Sequence, residues 1–494
     1  MKKYILAMAT LAAIGILLDS GCGGPSGPAI QTTITSPGTL AILGGDAPLC
    51  SVISFRVTIT GLTLTPQSGS SPVSVLPGGN PLTVDFASLM DFATMFSLSN
   101  VPVGTYNELG ITLSNPLLTY LDTSTSPASF KTIAPSMTSL TVNLALSPAM
   151  AIASNGTVAL QLEFNLLNSV ALGFSSQFTV TPTFTANLAS ASGSSGFAHF
   201  DDLSGLVQSV NNSSTNPSFV GSFTLARPNA PSLTVHASSS TSFVGVSGLS
   251  ALTAGTFVET DAFLDAKANI VANTVAAEAP EDQATGNAAF TGLITSVSPP
   301  SGNATQFTLL VQEENPDVSS RVALFSPLTV NIVASSTSFG LTAQTADFAS
   351  FSYASNTLAV GQRVVVHGTL PSGSGTAQSA TARSVFLRLQ SILGNLSTNP
   401  STPVNIASDG VDGGFTLVPC SPLFQPAQIT VLASLPTAFV GISNLSSLKN
   451  PGAHFLLVKG LLFYMQDTTT FEVESWTVPA KVQVATQVHQ LPSS

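Results

Sequence analysis

Charge is the scarcest resource of this 494-residue chain: 13 Lys and Arg and 24 Asp and Glu make up 7% of it. With so few basic residues there is no positive footprint for a phosphate backbone, which excludes nucleic-acid binding. The absence of a polybasic run likewise removes electrostatic adhesion to anionic lipid. Aromatic side chains with polar tips are also rare, with 5 Tyr and 1 Trp. That is too few for the girdles of an outer-membrane barrel. Beyond residue 18 no apolar run approaches the length of a membrane-spanning helix, which takes about 20 residues. Only 3 Cys and 5 His are present. Cys50 and Cys420 have no CxxC neighbour, and His199, His236, His367, His454 and His489 stand singly. These spacings exclude a structural zinc site, and no metal or cofactor is expected. The chain also lacks a Gly-Lys dipeptide and a Gly-x-Ser-x-Gly elbow, which removes the phosphate-cradling loop and the α/β-hydrolase nucleophile turn.

What remains is a hydrophobic content of 44% and a mean hydropathy of +0.41. The apolar residues are interrupted at short intervals by Ser, Thr, Asn and Gly, the pattern of β-sheets with neutral hydroxyl surfaces. Ile53, Phe55, Val57 and Ile59 alternate with Ser54, Arg56, Thr58 and Thr60. This two-residue period predicts a half-buried strand. Leu109, Ile111 and Leu113 alternate in the same way, as do Val158, Leu160, Leu162 and Phe164. Residues 82–97 have no such alternation and predict a short helix or irregular connection.

The chain starts with Lys2-Lys3, an apolar stretch from Tyr4 to Leu18, and then Asp19-Ser20-Gly21-Cys22. A basic start and a short apolar core predict a secretory signal over residues 1–21. The following Cys resembles a bacterial lipobox, which implies lipidation of Cys22 and a membrane partner through that lipid. Asp19 departs from the apolar residue the lipobox pattern wants. Residues 22–35 then form the tether, and the chain is expected to be lipid-anchored in the bacterial envelope, at the outer membrane, with free secretion as the alternative. In an oxidising envelope Cys50 and Cys420 are a candidate disulfide, the alternative being two buried free thiols.

Several motifs occur in order over residues 36–190: Gly38-Thr39-Leu40, Gly45-Asp46-Ala47-Pro48, Phe55 to Leu62, Thr83-Val84-Asp85-Phe86, Pro102-Val103-Gly104-Thr105-Tyr106 and Phe178-Thr179-Val180-Thr181-Pro182. Together they resemble domain-of-unknown-function family 4382. The resemblance implies a transthyretin- or immunoglobulin-like β-sandwich in a lipid-anchored protein, and it implies no activity. Further on, Thr241-Ser242-Phe243, Thr337-Ser338-Phe339 and Thr437-Ala438-Phe439 are spaced 96 and 100 residues apart, each preceded by a Leu/Ile-Thr-Val strand. Gly205-Leu206-Val207 also matches Gly292-Leu293-Ile294. These three copies resemble domain-of-unknown-function family 5666, which implies small OB-like barrels. The expected division is a linker at 191–204, barrels at 205–280 and 290–390 with a linker at 281–289 between them, and a diverged third barrel at 391–494.

Local acid clusters at Asp201-Asp202, Glu281-Asp282 and Glu313-Glu314 read as solvated loop charge. The glycine-rich stretches near Ser194 and Ser374 read as linkers. Asp409 and Asp412, in Asp409-Gly410-Val411-Asp412-Gly413-Gly414, are the one calcium candidate, with a plain turn as the alternative. Asp46 and Trp476 are candidate ligand-binding residues: Asp46 could equally cap its own turn, and Trp476 and Tyr464, with Tyr106, Tyr120 and Tyr353, could form a sugar-stacking platform if exposed, the alternative being core aromatics. No catalytic residue stands out. The expected function is therefore a non-enzymatic, lipid-anchored binding or assembly scaffold whose partner is an envelope protein or a glycan. Two alternatives remain: a carbohydrate- or calcium-binding surface module, and a hydrolase with its site at a domain junction.

Overall fold

The computed structural model describes residues 36–494 except 48, 51, 90–93, 123, 125–128, 172–177, 190–197, 228–229, 278–286, 315–320, 342–351, 374, 397–410, 425–427, 444–447, 449–454, 466–479 and 491–494. Cys22, Asp409 and Trp476 lie outside the described residues, as do the side chains of Asp46 and Asp412. Among the described residues no helix is long and apolar enough to cross a membrane.

The alternation at Ile53–Ile59 produces the central strand of the first domain, Val52–Pro66. Phe55, Val57 and Ile59 point into the core, and a register shift near Gly61 moves the inward set to Leu62 and Leu64. Such a bulge changes the phase of the pleat without ending the strand. This strand pairs with Gly104–Asp122, whose inward residues include Leu109, Ile111 and Leu113. The facing sheet has the order Phe184–Ala189, Thr157–Asn165, Gly38–Ala47, Thr94–Val101. Phe55, Phe86, Phe164 and Phe184 fill the space between the two sheets, with Phe86 and Phe164 stacked at 4.8 Å. The domain is a β-sandwich. Residues 82–97 are strand at both ends, Leu82–Asp85 and Thr94–Val101, with a short 3-10 turn at Phe86–Leu89. The expected irregular connection is thus confined to the middle, because Leu82 and Val84 alternate against the neighbouring strand for only four residues.

The first barrel is a closed ring of Ala198–Asn211, Gly221–Arg227, Ala230–Val244, Ile270–Ala277 and Phe257–Leu264. It starts inside the stretch expected as a linker. The third barrel repeats that ring with Gln390–Leu396, Val411–Pro419, Ile429–Val440, Ala480–Gln490 and Phe455–Met465. In the second, Pro327–Ile332 pairs with both Gln306–Glu314 and Ser379–Leu387, so the same ring closes. The glycine-rich segment at Ser374 connects two antiparallel strands of this barrel and is no interdomain linker.

Two sequence features explain why the three copies share this path. In each barrel the first strand serves two neighbours and carries a glycine at the crowded position. A Cβ on Gly205, Gly292 or Gly394 would collide with the carbonyl of Ala226, Leu310 or Val418. Gly394 supplies the opening motif of the diverged copy. The other feature is the threonine. One strand of the parallel pair bulges out and returns, leaving its partner's carbonyl without a ladder donor. Thr241, Thr337 and Thr437 each return there, and each hydroxyl donates at 2.8 Å to Ala272 O, Ala382 O or Ala485 O.

The domains share their apolar cores. Leu40 and Ile42 face the sandwich interior, while Ala41 and Leu43 on the other face of the same strand join the first barrel's core with Met95 and Ala159. Leu432, Leu461 and Phe463 of the third barrel enter the core of the second. Leu121 and Phe130 of the sandwich pack on the third barrel.

Candidate functional site

The scarce charges converge where the sandwich meets the barrels. Glu313 lies on the strand Gln306–Glu314, and Arg363 lies on the strand Arg363–Thr369; their ion pair spans 3.0 Å. Arg388, just past Ser379–Leu387 and 3% exposed, reaches Glu259 of the first barrel at 3.1 Å and Glu313 at 3.8 Å. Its guanidinium also donates to Thr291 Oγ1 at 2.9 Å. The flat, multi-donor head of Arg suits such a shared position. From the sandwich, Arg56 lies over the Phe325 ring, 4.7 Å from its centroid.

Glu313-Glu314, expected as loop charge, is therefore part of a strand at a domain interface. The sequence showed no partner because Arg363 and Arg388 follow 50 and 75 residues later. Burial pushes the Glu314 carboxyl up to about 7 against the lowering effect of Arg56. Burial also raises Asp85 to about 6, although the Ser54 hydroxyl, the Phe55 N–H and Arg56 all favour its charged form. Phe55 N–H donates to Asp85 Oδ1 at 2.8 Å. His367, packed edge-on against Phe386, is held at about 4 by burial and by the Arg388 charge. Taking these groups out of water disfavours their charged forms.

Beside this cluster, Cys50 and Cys420 form a disulfide across 370 residues, with Cα atoms 5.3 Å apart. It borders a cavity of about 90 Å³ whose polar wall includes Gln312, Arg363, Gln390 and Ser391. Gln390 is locked there: its Oε1 accepts from Arg363 N–H at 2.7 Å and its Nε2 donates to Gly361 O at 2.9 Å. Gln362 makes a similar tie, donating to Leu462 O of the third barrel at 3.0 Å. The cavity has room for a few waters. Among the described residues no carboxylate and no histidine lines it. The arrangement can fix domains against one another.

Asp46 lies in the strand Gly38–Ala47, paired with Phe164, so its backbone belongs to a ladder and not to the turn expected of it. Tyr106 and Tyr353 are core residues, and the Tyr106 hydroxyl donates to Pro102 O at 2.8 Å. They contribute nothing to an exposed aromatic platform. Among the described residues no group of three His, Cys, Asp or Glu side chains is placed to hold a metal.

A sandwich followed by five-stranded barrels of one topology defines an all-β modular protein with OB-like domains. Residues 37–182 match the family described as Domain of unknown function (DUF4382), and residues 204–276 and 317–380 match the one described as Domain of unknown function (DUF5666). The first match falls on the sandwich, and the second falls on the first and second barrels. The third barrel lies outside both matches, and its kinship rests on the repeated topology. No curated protein matches the chain. Among solved structures, drosophila Unr CSD456 shows 11% identity over 59% of this chain and 98% of that one, with a TM-score of 0.14. The wild-type single-stranded DNA binding protein from Thermus aquaticus shows 14% identity over 42% of this chain and 93% of that one, with a TM-score of 0.15.

Proposed function

We propose that the chain is a non-enzymatic binding or assembly scaffold of the bacterial envelope, anchored by a lipid on Cys22. The observation that carries this reading is the closure between Cys50 in the sandwich and Cys420 in the last barrel. A disulfide of this kind persists in oxidising compartments, which agrees with an exported chain. Together with the shared cores and the buried ion pairs, it supports a rigid body that presents loops from several β-domains at fixed spacing. Loops on a rigid scaffold are where binding residues concentrate. The hydrolase alternative would need an acid or base at the junction cavity, and the described residues that line it offer amide, hydroxyl and guanidinium groups.

The test is made in intact cells of a bacterial host. Metabolic labelling with a fatty-acid analogue should mark the protein, and Cys22→Ser should abolish the label and release the chain from the membrane fraction. Cross-linking followed by capture should retain a stoichiometric envelope partner or a glycan. Failure of both the label and the capture would overturn the proposal.

A further inference from the structure

The outer face of the sandwich meets the second barrel at a point where several polar groups are buried together. Arg56 and Asp85 are direct cross-strand partners on Val52–Pro66 and Leu82–Asp85. Their neighbours Phe55, Val57 and Val84 are core residues, so the pleat turns Arg56 and Asp85 to the outer face. Across the junction the Phe325 ring receives the Arg56 guanidinium and is itself buried. Phe325 has a φ of 56°, a left-handed conformation that is strained for a bulky side chain. A bond from Phe325 N–H to Val311 O at 2.6 Å holds it there, on the strand that ends at Glu314. Asp85 faces Arg56 on its own sheet and the Glu313 charge across the junction, and Glu314 faces Arg56. Glu313 is paired with Arg363 and Arg388, so Arg56 is the cation that Asp85 and Glu314 share. Asp85 Oδ1 accepts from Phe55 N–H, but Asp85 Oδ2, Glu314 Oε2 and Arg56 Nε are buried without a hydrogen-bond partner among the described residues. Orphaned groups gathered in one place in a native fold mark stored strain or a functional role.

We propose that this junction is a proton-controlled latch between the sandwich and the second barrel: it is closed while Asp85 and Glu314 hold protons, and their ionisation parts Phe325 from Arg56. With both ionised, one guanidinium faces two buried carboxylates, and Glu313 adds a further negative charge beside Asp85. With both protonated, the remaining Arg56 charge rests on the π face of Phe325, a favourable setting for a cation. Opening returns the carboxylates to water and frees Phe325 to leave its left-handed conformation, so desolvation and backbone strain act in the same direction. Burial raises Asp85 to about 6 and Glu314 to about 7. The closed form is therefore favoured most below the ordinary carboxylate range, and that advantage is lost as pH rises through these values. The Cys50–Cys420 bond still ties the sandwich to the third barrel when the latch is open. The inference stands on this junction alone and is independent of lipid anchoring and of any partner.

Hydrogen–deuterium exchange of the full, disulfide-bonded chain tests it, at about pH 5 and about pH 8 and corrected for the intrinsic pH dependence of amide exchange. The Phe325 amide should exchange at least about tenfold faster at the higher pH, while the strand Gly221–Arg227 of the first barrel is unchanged. This comparison needs no variant. Asp85→Asn combined with Glu314→Gln removes both titrating groups and should keep the Phe325 amide protected at both pH values. An unchanged Phe325 amide in the parent would overturn the proposal. So would an acceleration shared equally by the first barrel, which would make the effect a general loosening, or the same acceleration in the double variant, which would place the titrating groups elsewhere.

Discussion

The hydroxyl of Thr337 donates to Ala382 O at 2.8 Å at the point where the parallel pairing between Pro327–Ile332 and Ser379–Leu387 breaks and resumes. The same hydroxyl accepts from Val333 N–H at 3.0 Å, closing the bulge at its own start. Thr241 does both in the first barrel, accepting from Ser238 N–H at 2.8 Å.

Each threonine therefore satisfies backbone groups that the bulge removes from the ladder. Thr337→Val keeps the shape and loses both bonds. Its cost should be about 1–2 kcal/mol, and Thr337→Ser should recover most of it. Urea unfolding of the three proteins checks the order, and an unchanged midpoint for the valine variant would refute the role.

Arg388 reaches carboxylates from two barrels, Glu259 and Glu313. Removing one partner of a buried ion pair strands the other charge. Arg388→Ala should destabilise the chain by about 3 kcal/mol, and Arg388→Lys should restore only part of this, because an ammonium cannot serve a carboxylate and Thr291 with the same fork. Thermal unfolding of the two variants measures the difference.

Asp85 sets a pH dependence whose sign follows from its raised pKa of about 6. Its contribution is most favourable below the ordinary carboxylate pKa and is lost as pH rises through 6. Asp85→Asn mimics the protonated form and retains an acceptor for Phe55 N–H. The variant should be more stable than the parent at pH 8, by on the order of 2 kcal/mol, with the gap closing toward pH 4. Parallel denaturation curves across that range test it; a constant gap would exclude titration of Asp85. Glu314, raised to about 7, acts in the same direction, and His367, lowered to about 4, acts in the opposite one. The comparison of variant with parent cancels both.

Cys50 and Cys420 should resist alkylation in the native protein and react after reduction. Cys420→Ala removes a 370-residue closure, and chain entropy assigns such a crosslink about 4 kcal/mol or more. Limited proteolysis should then cut the variant faster between the second and third barrels than it cuts the parent.

Much of the architecture is local and was therefore readable. Alternation at Phe55, Val57 and Ile59 depends on a two-residue pleat that needs no knowledge of the partner strand. The recurring Thr241, Thr337 and Thr437 mark copies because each barrel solves the same backbone problem at the same place. The all-β class follows from such short-range rules, while the sandwich and the barrels were implied by the resemblance to two families. Tertiary structure decided everything that depends on chain segments meeting from afar. Glu313 looked like loop charge until Arg363 and Arg388 were brought to it, and the choice between a Cys50–Cys420 disulfide and two free thiols was decided only when the fold placed their Cα atoms 5.3 Å apart. Ala41 and Leu43 gave no sign of facing another domain, since a strand buried on both faces differs from a half-buried one only through what covers it.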